Sequence, residues 1–304
     1  MEAIAKITTY DDILSLLIPS AEAFAPILRD SPLLKQYIST RKTFQFGTTD
    51  RHQLDVYYPP PTSTAAPVLF YSYGGGFVAG ARTLSHPASE ALSLGYGNVG
   101  SYFAYKGFVT IIADYRLAPA FRYPAAAIDV RDAVEWVFQN QDAIVNGSDV
   151  KALDKERVFI LGASAGAAHV ITALLSPDVS PVGVRLAGIA TLGGAFALAD
   201  EEKTTRNVDA YWGSQELARR TQPLTLVQEQ RERVKEMPPW LFIEAENEPE
   251  FVKAGGKLTR EALHGRQDVP HLIAKGHNHI SVTFSLGTGN REGEEWADEF
   301  VRWM

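Results

Sequence analysis

The chain has 304 residues, 45% apolar, 21% charged and 11% aromatic, long enough for one large α/β domain or two smaller ones. Acidic residues outnumber lysine plus arginine by 36 to 29, and the formal charge of −7 argues against a nucleic-acid backbone as partner. No cysteine is present, which excludes disulfides, thiolate catalysis and cysteine-ligated metal.

The first forty residues carry helical spacing at Ile13, Leu16, Leu17, Phe24, Ile27 and Leu28, with breaks expected at Pro19 and Pro32. Glu2, Asp11 and Asp12 stand where a secretory signal would be basic and then apolar, and no apolar run approaches the ~20 residues of a membrane span. The expectation is a soluble, cytoplasmic protein. From Thr43 the texture changes: Phe44 and Phe46, then Leu54, Val56 and Tyr58, alternate around Thr48–Arg51 as in a half-buried hairpin.

Short apolar runs and helical stretches then alternate. Strands are predicted over Val68–Tyr73, Phe108–Ala113, Arg157–Leu161, Leu186–Leu192, Trp240–Ala245 and His271–Ala274. Between them come a mainly helical Ala88–Tyr105 and helices over Ala125–Phe138, Ala165–Leu175, Glu250–Leu263 and Glu294–Trp303. This alternation implies a mostly parallel central sheet flanked by helices on both faces. No linker or repeat splits the chain, so residues 1–304 form a single domain. Phe196–Met237 is too long and polar for a simple crossover; with residues 1–40 it is expected to form a helical cap (196–237) at the active-site edge.

Three segments carry chemistry. Gly162-Ala163-Ser164-Ala165-Gly166 follows a strand and opens a helix, the context of a nucleophile elbow. The bland alternative is a small-residue turn whose serine caps the helix. Tyr73-Gly74-Gly75-Gly76-Phe77 follows the strand ending at Ser72, and its glycines leave backbone N–H groups exposed to an anion. Neither the Lys-Ser/Thr ending of a phosphate loop nor G-x-G-x-x-G occurs there, whereas an acyl-transfer oxyanion needs such donors. The third segment pair places Glu248 after one strand and His277 and His279 after another. Serine, acid and histidine in that order along the chain is the α/β-hydrolase order. One histidine would take the serine proton and return it to the leaving group, and the acid would hold the imidazolium. His271, His277 and His279 have no matched carboxylate spacing, so no metal is expected.

Asp114-Tyr115-Arg116-Leu117-Ala118-Pro119, followed by Tyr123-Pro124-Ala125-Ala126 and Asp129, resembles the hormone-sensitive-lipase-like branch of the α/β-hydrolases. The glycine loop, this run, the serine elbow, an acid before proline and a late histidine occur in that branch's order, from Val68 to about Ser281. The resemblance implies an α/β-hydrolase fold and a carboxylesterase acting on small to medium acyl esters through an acyl-enzyme. Matched position by position, it implies Ser164 as nucleophile, Glu248 as acid and His279 as base, with Gly75, Gly76 and Ala165 as the oxyanion-hole amides. It implies no cofactor and reads Asp114, Arg116 and Asp129 as buried support.

Tyr73, Ala163 and Glu248 depart from the branch's usual histidine, aspartate and aspartate at those places. Tyr73, Phe77, Phe196, Tyr211 and Trp212 are candidates to contact substrate, with Tyr73 able to prop the glycine loop through its hydroxyl. The partner is then a small-molecule ester or amide. Two other functions compete: an amide hydrolase (arylformamidase or lactam hydrolase) with the same triad, and a non-hydrolytic ligand-binding or cyclase member of the fold. The oligomeric state is open, a homodimer included.

Overall fold

Eight short segments with buried apolar side chains form one sheet in a computed structural model, which describes residues 1–7, 12–85, 89–198, 205–263 and 269–304. The strands are β1 (Lys42–Gln45), β2 (Gln53–Tyr57), β3 (Ala66–Ser72), β4 (Val109–Ala113), β5 (Leu153–Ala163), β6 (Gly188–Leu192), β7 (Trp240–Asn247) and β8 (His271–Asn278). Their order across the sheet is β1-β2-β4-β3-β5-β6-β7-β8. The β1/β2 pair is the antiparallel hairpin expected around Thr48–Arg51, with Phe44 opposite Leu54, and β2 is also antiparallel to β4. Every later pairing is parallel. Helices such as Gly97–Tyr105, Ala125–Gln139, Ala165–Leu175, Glu250–Ala262 and Arg291–Trp303 connect or flank the strands. The central strands read as continuous apolar runs because both faces of the sheet are covered.

The topology decides where chemistry can occur. The chain leaves β3 for β4 on one side, then crosses to β5 on the other, so strand order reverses beside β3. In open α/β sheets the crevice at the carboxyl ends of such strands is where ligands bind. Ser72 pairs with Gly162, so the glycine loop after β3 and the serine turn after β5 leave the sheet side by side. At the other end, β7 and β8 stay paired to Asn247 and Asn278, with a register shift after Ala245. The next residue on β7's side is Glu248 and on β8's side is His279.

The N-terminal region departs from expectation at Pro19. One helix runs Ile13–Asp30 through Pro19 and Pro26, and the break falls at Ser31, which caps a second helix, Pro32–Thr40. A proline inside a helix removes a hydrogen bond at a cost of ~3 kcal/mol. Pro19 and Pro26 are seven residues apart on the exposed face, as are Ser15 and Glu22, whose carbonyls lose an amide donor. The opposite face buries Ala21, Phe24, Ala25 and Leu28 against Leu34, Ala91, Leu92 and Phe284. Tertiary burial overrides the local penalty. Ala88–Tyr105 also differs from expectation, since it is a 3-10 turn over Glu90–Leu94 and a separate helix from Gly97. Tyr96, at φ 62°, makes the corner between them. Ala88 lies outside the described residues, as does 199–204 of the expected cap. The rest of that segment holds four short helices from Thr205 to Glu236. Among the described residues no helix is long and apolar enough to cross a membrane.

Candidate active site

The turn from β5 into the helix Ala165–Leu175 is so tight that Ser164 is held at φ 51°, a left-handed conformation costly for a residue with a Cβ. Its amide donates to the Leu192 carbonyl, and its carbonyl accepts from Ala167 and Ala195. The turn closes only because position 166 is glycine: a Cβ there would lie 2.1 Å from the Ser72 carbonyl oxygen. Ser164 makes no side-chain cap to its helix, so its hydroxyl is left for another partner.

That partner is His279. Its Nε2 lies 3.0 Å from Ser164 Oγ, and its Nδ1 lies 2.5 Å from Glu248 Oε2. A proton on Nδ1, donated to the carboxylate, leaves Nε2 to accept from the serine hydroxyl. Glu248 and His279 are almost fully buried, which strengthens their mutual attraction and excludes competing water. Glu248 Oε1 faces the Ala245 amide at 3.4 Å. The other glutamates of the segment point elsewhere: Glu246 is exposed and accepts from the Gly276 amide, and Glu250 is exposed in the first turn of the next helix.

His277 is held away from the serine. Its Nε2 donates to the Gly293 carbonyl at 3.0 Å, so its Nδ1 accepts from Ser281 Oγ at 3.1 Å. Burial pushes its pKa down to about 4, keeping it a neutral clamp between β8 and the C-terminal helix. Sequence reasoning missed the supports of His279. Asn278 Oδ1 accepts from the amides of Ile280 and Ser281 and fixes the loop, and buried Ser20 reaches Asn278 from the N-terminal helix. The Asn-x-x-Ser spacing is a local capping signal; the reach of Ser20 across 258 residues has no sequence signal. Gly193 was missed as well: at φ +52°, it lets the chain pass against Glu248 and the His279 ring.

The amides of Gly75, Gly76 and Ala165 donate to no protein acceptor among the described residues. Ala165 is in the first turn of a helix, whose dipole adds positive potential there. Beneath the glycine loop, Tyr73 is fully buried, stacked between Tyr96 and Tyr115 at 5.2 and 4.7 Å. Its hydroxyl donates to Asp114 at 2.7 Å and accepts from Arg51 at 2.9 Å. Tyr73 therefore lies under the loop with its hydroxyl satisfied by protein groups and no exposed surface of its own. Burial holds its pKa well above the ordinary tyrosine value, so it remains a donor.

Asp114 also binds Arg82, which reaches Asp55 at 3.1 Å, while Asp129 takes Arg116 and His52. These buried aspartates each carry arginine partners, as burial of a charge requires.

Phe77, Tyr211 and Trp212 form a packed wedge, Phe77 stacking on Tyr211 at 4.8 Å with Trp212 edge-on at 5.0 Å. His169 of the serine helix closes the wedge, and burial lowers its pKa to about 3. Phe196 packs on Phe242 at 5.5 Å. All five predicted contact aromatics, Tyr73 included, are buried, so they shape the site by packing and present little free surface. Among the described residues, no three His, Asp or Glu side chains are grouped to hold a metal ion.

A hydroxyl, an imidazole and a carboxylate in relay, beside three unpaired amides, can attack a carbonyl and hold the resulting oxyanion. The family profile described as BD-FAE matches residues 54–257. The 3-O-acetylpapaveroxine carboxylesterase CXE2 of Papaver somniferum is 29% identical over 155 residues, covering 46% of this chain and 46% of that enzyme. Esterase LipC of Mycobacterium tuberculosis is 31% identical over 133 residues, 43% of this chain and 28% of the relative. The chain thus spans less than half the length of these curated relatives. A hyperthermophilic esterase from the archaeon Pyrobaculum calidifontis superposes with a TM-score of 0.69, covering 96% of this chain and 92% of its own at 21% identity.

Proposed function

Because the chain belongs to the BD-FAE family and has the α/β-hydrolase fold of the hormone-sensitive-lipase-like branch, we propose that it is a serine carboxylesterase. In this reading Ser164 Oγ attacks the ester carbonyl carbon as its proton passes to His279 Nε2. Glu248 stabilises the imidazolium across the 2.5 Å contact. The carbonyl oxygen becomes an oxyanion held by the amides of Gly75, Gly76 and Ala165, and such donors are each worth roughly 3–4 kcal/mol. Collapse breaks the bond to the alkoxy oxygen, which leaves as the alcohol with the proton from His279. A water, deprotonated by the same nitrogen, then attacks the acyl-serine, releasing the acid and restoring Ser164.

One observation carries the reading: Ser164 Oγ and Glu248 Oε2 bracket the two nitrogens of His279 at 3.0 and 2.5 Å. The packed aromatics beside the glycine loop favour small to medium acyl groups. A cap made of the N-terminal helices and the helices from Thr205 to Glu236, and a cytoplasmic site of action for a cysteine-free chain, belong to the same proposal. The named relatives are a carboxylesterase and esterases, which favours ester hydrolysis over the amide-hydrolase and non-hydrolytic readings.

The test is turnover of p-nitrophenyl esters from acetate to laurate, with labelling by a fluorophosphonate located by peptide mass spectrometry. Wild type should favour the shorter esters and take the label on Ser164. Ser164→Ala should lose at least ~10³-fold in kcat and all labelling. Activity in Ser164→Ala within about tenfold of wild type would move the nucleophile elsewhere.

A further inference from the structure

One amide side chain over the oxyanion loop has no protein partner among the described residues. Asn207 lies in the helix Thr205–Trp212 and is half-buried, and its carboxamide hydrogen-bonds to no residue among those described. Its Nδ2 lies 2.8 Å from where a Cβ on Gly76 would stand, with the rest of the carboxamide farther from the loop. An amide that is neither buried nor engaged by protein is open to a ligand, and among the described residues the loop beneath this one also leaves the Gly75 and Gly76 N–H groups unpaired.

The position is held firmly. Asn207 and Tyr211 are four residues apart and so share one helix face. Tyr211 stacks on Phe77, the residue after Gly76, while its carbonyl accepts from the Tyr123 amide at 2.8 Å. Val208 is fully buried, and the Trp212 indole donates to Thr221 at 2.9 Å. The helix is thereby docked onto the oxyanion loop through Phe77, and Asn207 overhangs the adjacent glycine.

The distances allow a shared acceptor. A backbone nitrogen lies about 2.5 Å from its own Cβ position by standard bond geometry. Nδ2 of Asn207 is therefore no more than about 5.3 Å from the Gly76 nitrogen. Two donors that each reach one oxygen at about 2.9 Å can stand as far as about 5.8 Å apart. One oxygen can accept from both.

We propose that Asn207 Nδ2–H is an additional donor to the oxyanion, supplied by the helix Thr205–Trp212 and not by the sheet. The inference rests on the serine-esterase reading. Its chemistry is that of a neutral donor tightening as charge develops on the carbonyl oxygen, so it acts on kcat more than on KM. It also ties turnover to docking of this helix, since the donor arrives only when Tyr211 is seated on Phe77.

The experiment compares wild type, Asn207→Ala, Asn207→Asp and Asn207→Gln with p-nitrophenyl acetate and butyrate. Each is also titrated with an alkyl trifluoromethyl ketone, whose serine hemiketal carries an oxyanion in place of the transition state's. Asn207→Ala should lose about 10- to 100-fold in kcat, with KM within about twofold and melting temperature unchanged. Inhibition by the ketone should weaken by the same factor as kcat/KM, which a merely structural role would not produce. Asn207→Asp should lose at least as much, because it replaces the donor by a like charge, and Asn207→Gln should keep part of the activity. A kcat for Asn207→Ala within about twofold of wild type, or a loss confined to KM with ketone affinity intact, overturns the assignment. Ester turnover and Ser164 labelling by wild type keep the esterase reading standing in that event. Absence of both in wild type removes the esterase reading, and the Asn207 assignment with it.

Discussion

Gly193→Ala should separate the acid–histidine contact from general stability. Gly193 leaves β6 at φ +52°, and a Cβ there would lie 2.5 Å from Glu248 Oε1 and 3.1 Å from two atoms of the His279 ring. Ordinary contact for a carbon is about 3.5 Å, so the carboxylate must retreat by roughly 1 Å. It cannot do so freely, since Glu248 is 3% exposed and its other oxygen holds Nδ1 at 2.5 Å. A displacement of about 1 Å within a catalytic constellation can cost ~10²-fold in rate, less than the ~10⁴-fold of a neutralised triad acid. Alanine in left-handed backbone also costs roughly 1–2 kcal/mol of stability.

The expected outcome for Gly193→Ala is therefore a fall of about 10²-fold in kcat on p-nitrophenyl butyrate, slower fluorophosphonate labelling of Ser164, and a melting temperature lower by about 2–4 °C. Gly289→Ala is the matched control. It has a similar φ of +72° with nothing within 4 Å of the added carbon, so it should lose stability and keep kcat. If Gly193→Ala melts earlier but retains kcat within about threefold, the Glu248–His279 contact does not govern the reaction.

Glu248→Gln should lower kcat by up to ~10⁴, with Glu248→Asp intermediate, while Glu246→Gln and Glu250→Gln, both exposed, should stay near wild type in steady-state assays. His279→Ala should remove most of kcat, whereas His277→Ala should chiefly lower the denaturant midpoint, because it deletes a buried clamp from Ser281 to Gly293. His277 and His169 have folded-state pKa values lowered to about 4 and about 3, so from pH 6.5 downward the unfolded chain takes up protons that the folded chain refuses. Stability should accordingly fall with acidification, by roughly 2–3 kcal/mol per histidine between pH 7 and 4.5, and urea melts of the His277→Gln variant should show a shallower fall over that window. Tyr73→Phe removes a hydroxyl bound to Asp114 and Arg51 in the buried layer, and should cost about 1–3 kcal/mol in unfolding experiments. Its kcat should drop while KM holds; a change in KM alone would mean that Tyr73 meets substrate.

The parts of the molecule legible in the residues are those whose physics is local. The serine turn needs small residues at fixed offsets, and Gly162-Ala163-Ser164-Ala165-Gly166 followed by Ala165–Leu175 declares both the turn and its helix. Apolar runs of strand length alternating with amphipathic helices declare a parallel sheet, and strand-end loops carrying Glu248 and His279 declare where a relay could lie. Other features are decided between residues far apart in the chain. The register of β7 against β8 brings Glu248, and not Glu246, to His279, and Gly293 and Ser281 hold His277 aside. Burial of one face carries the N-terminal helix through Pro19, where local propensity alone predicts a break. Tyr73 lies beneath the glycine loop because Asp114 and Arg51 are there to satisfy its hydroxyl, and Asn207 reaches Gly76 because Tyr211 finds Phe77. Backbone sterics and side-chain period act over a few residues and are written in the sequence. Which distant side chains meet depends on strand order and packing, which only the folded chain supplies.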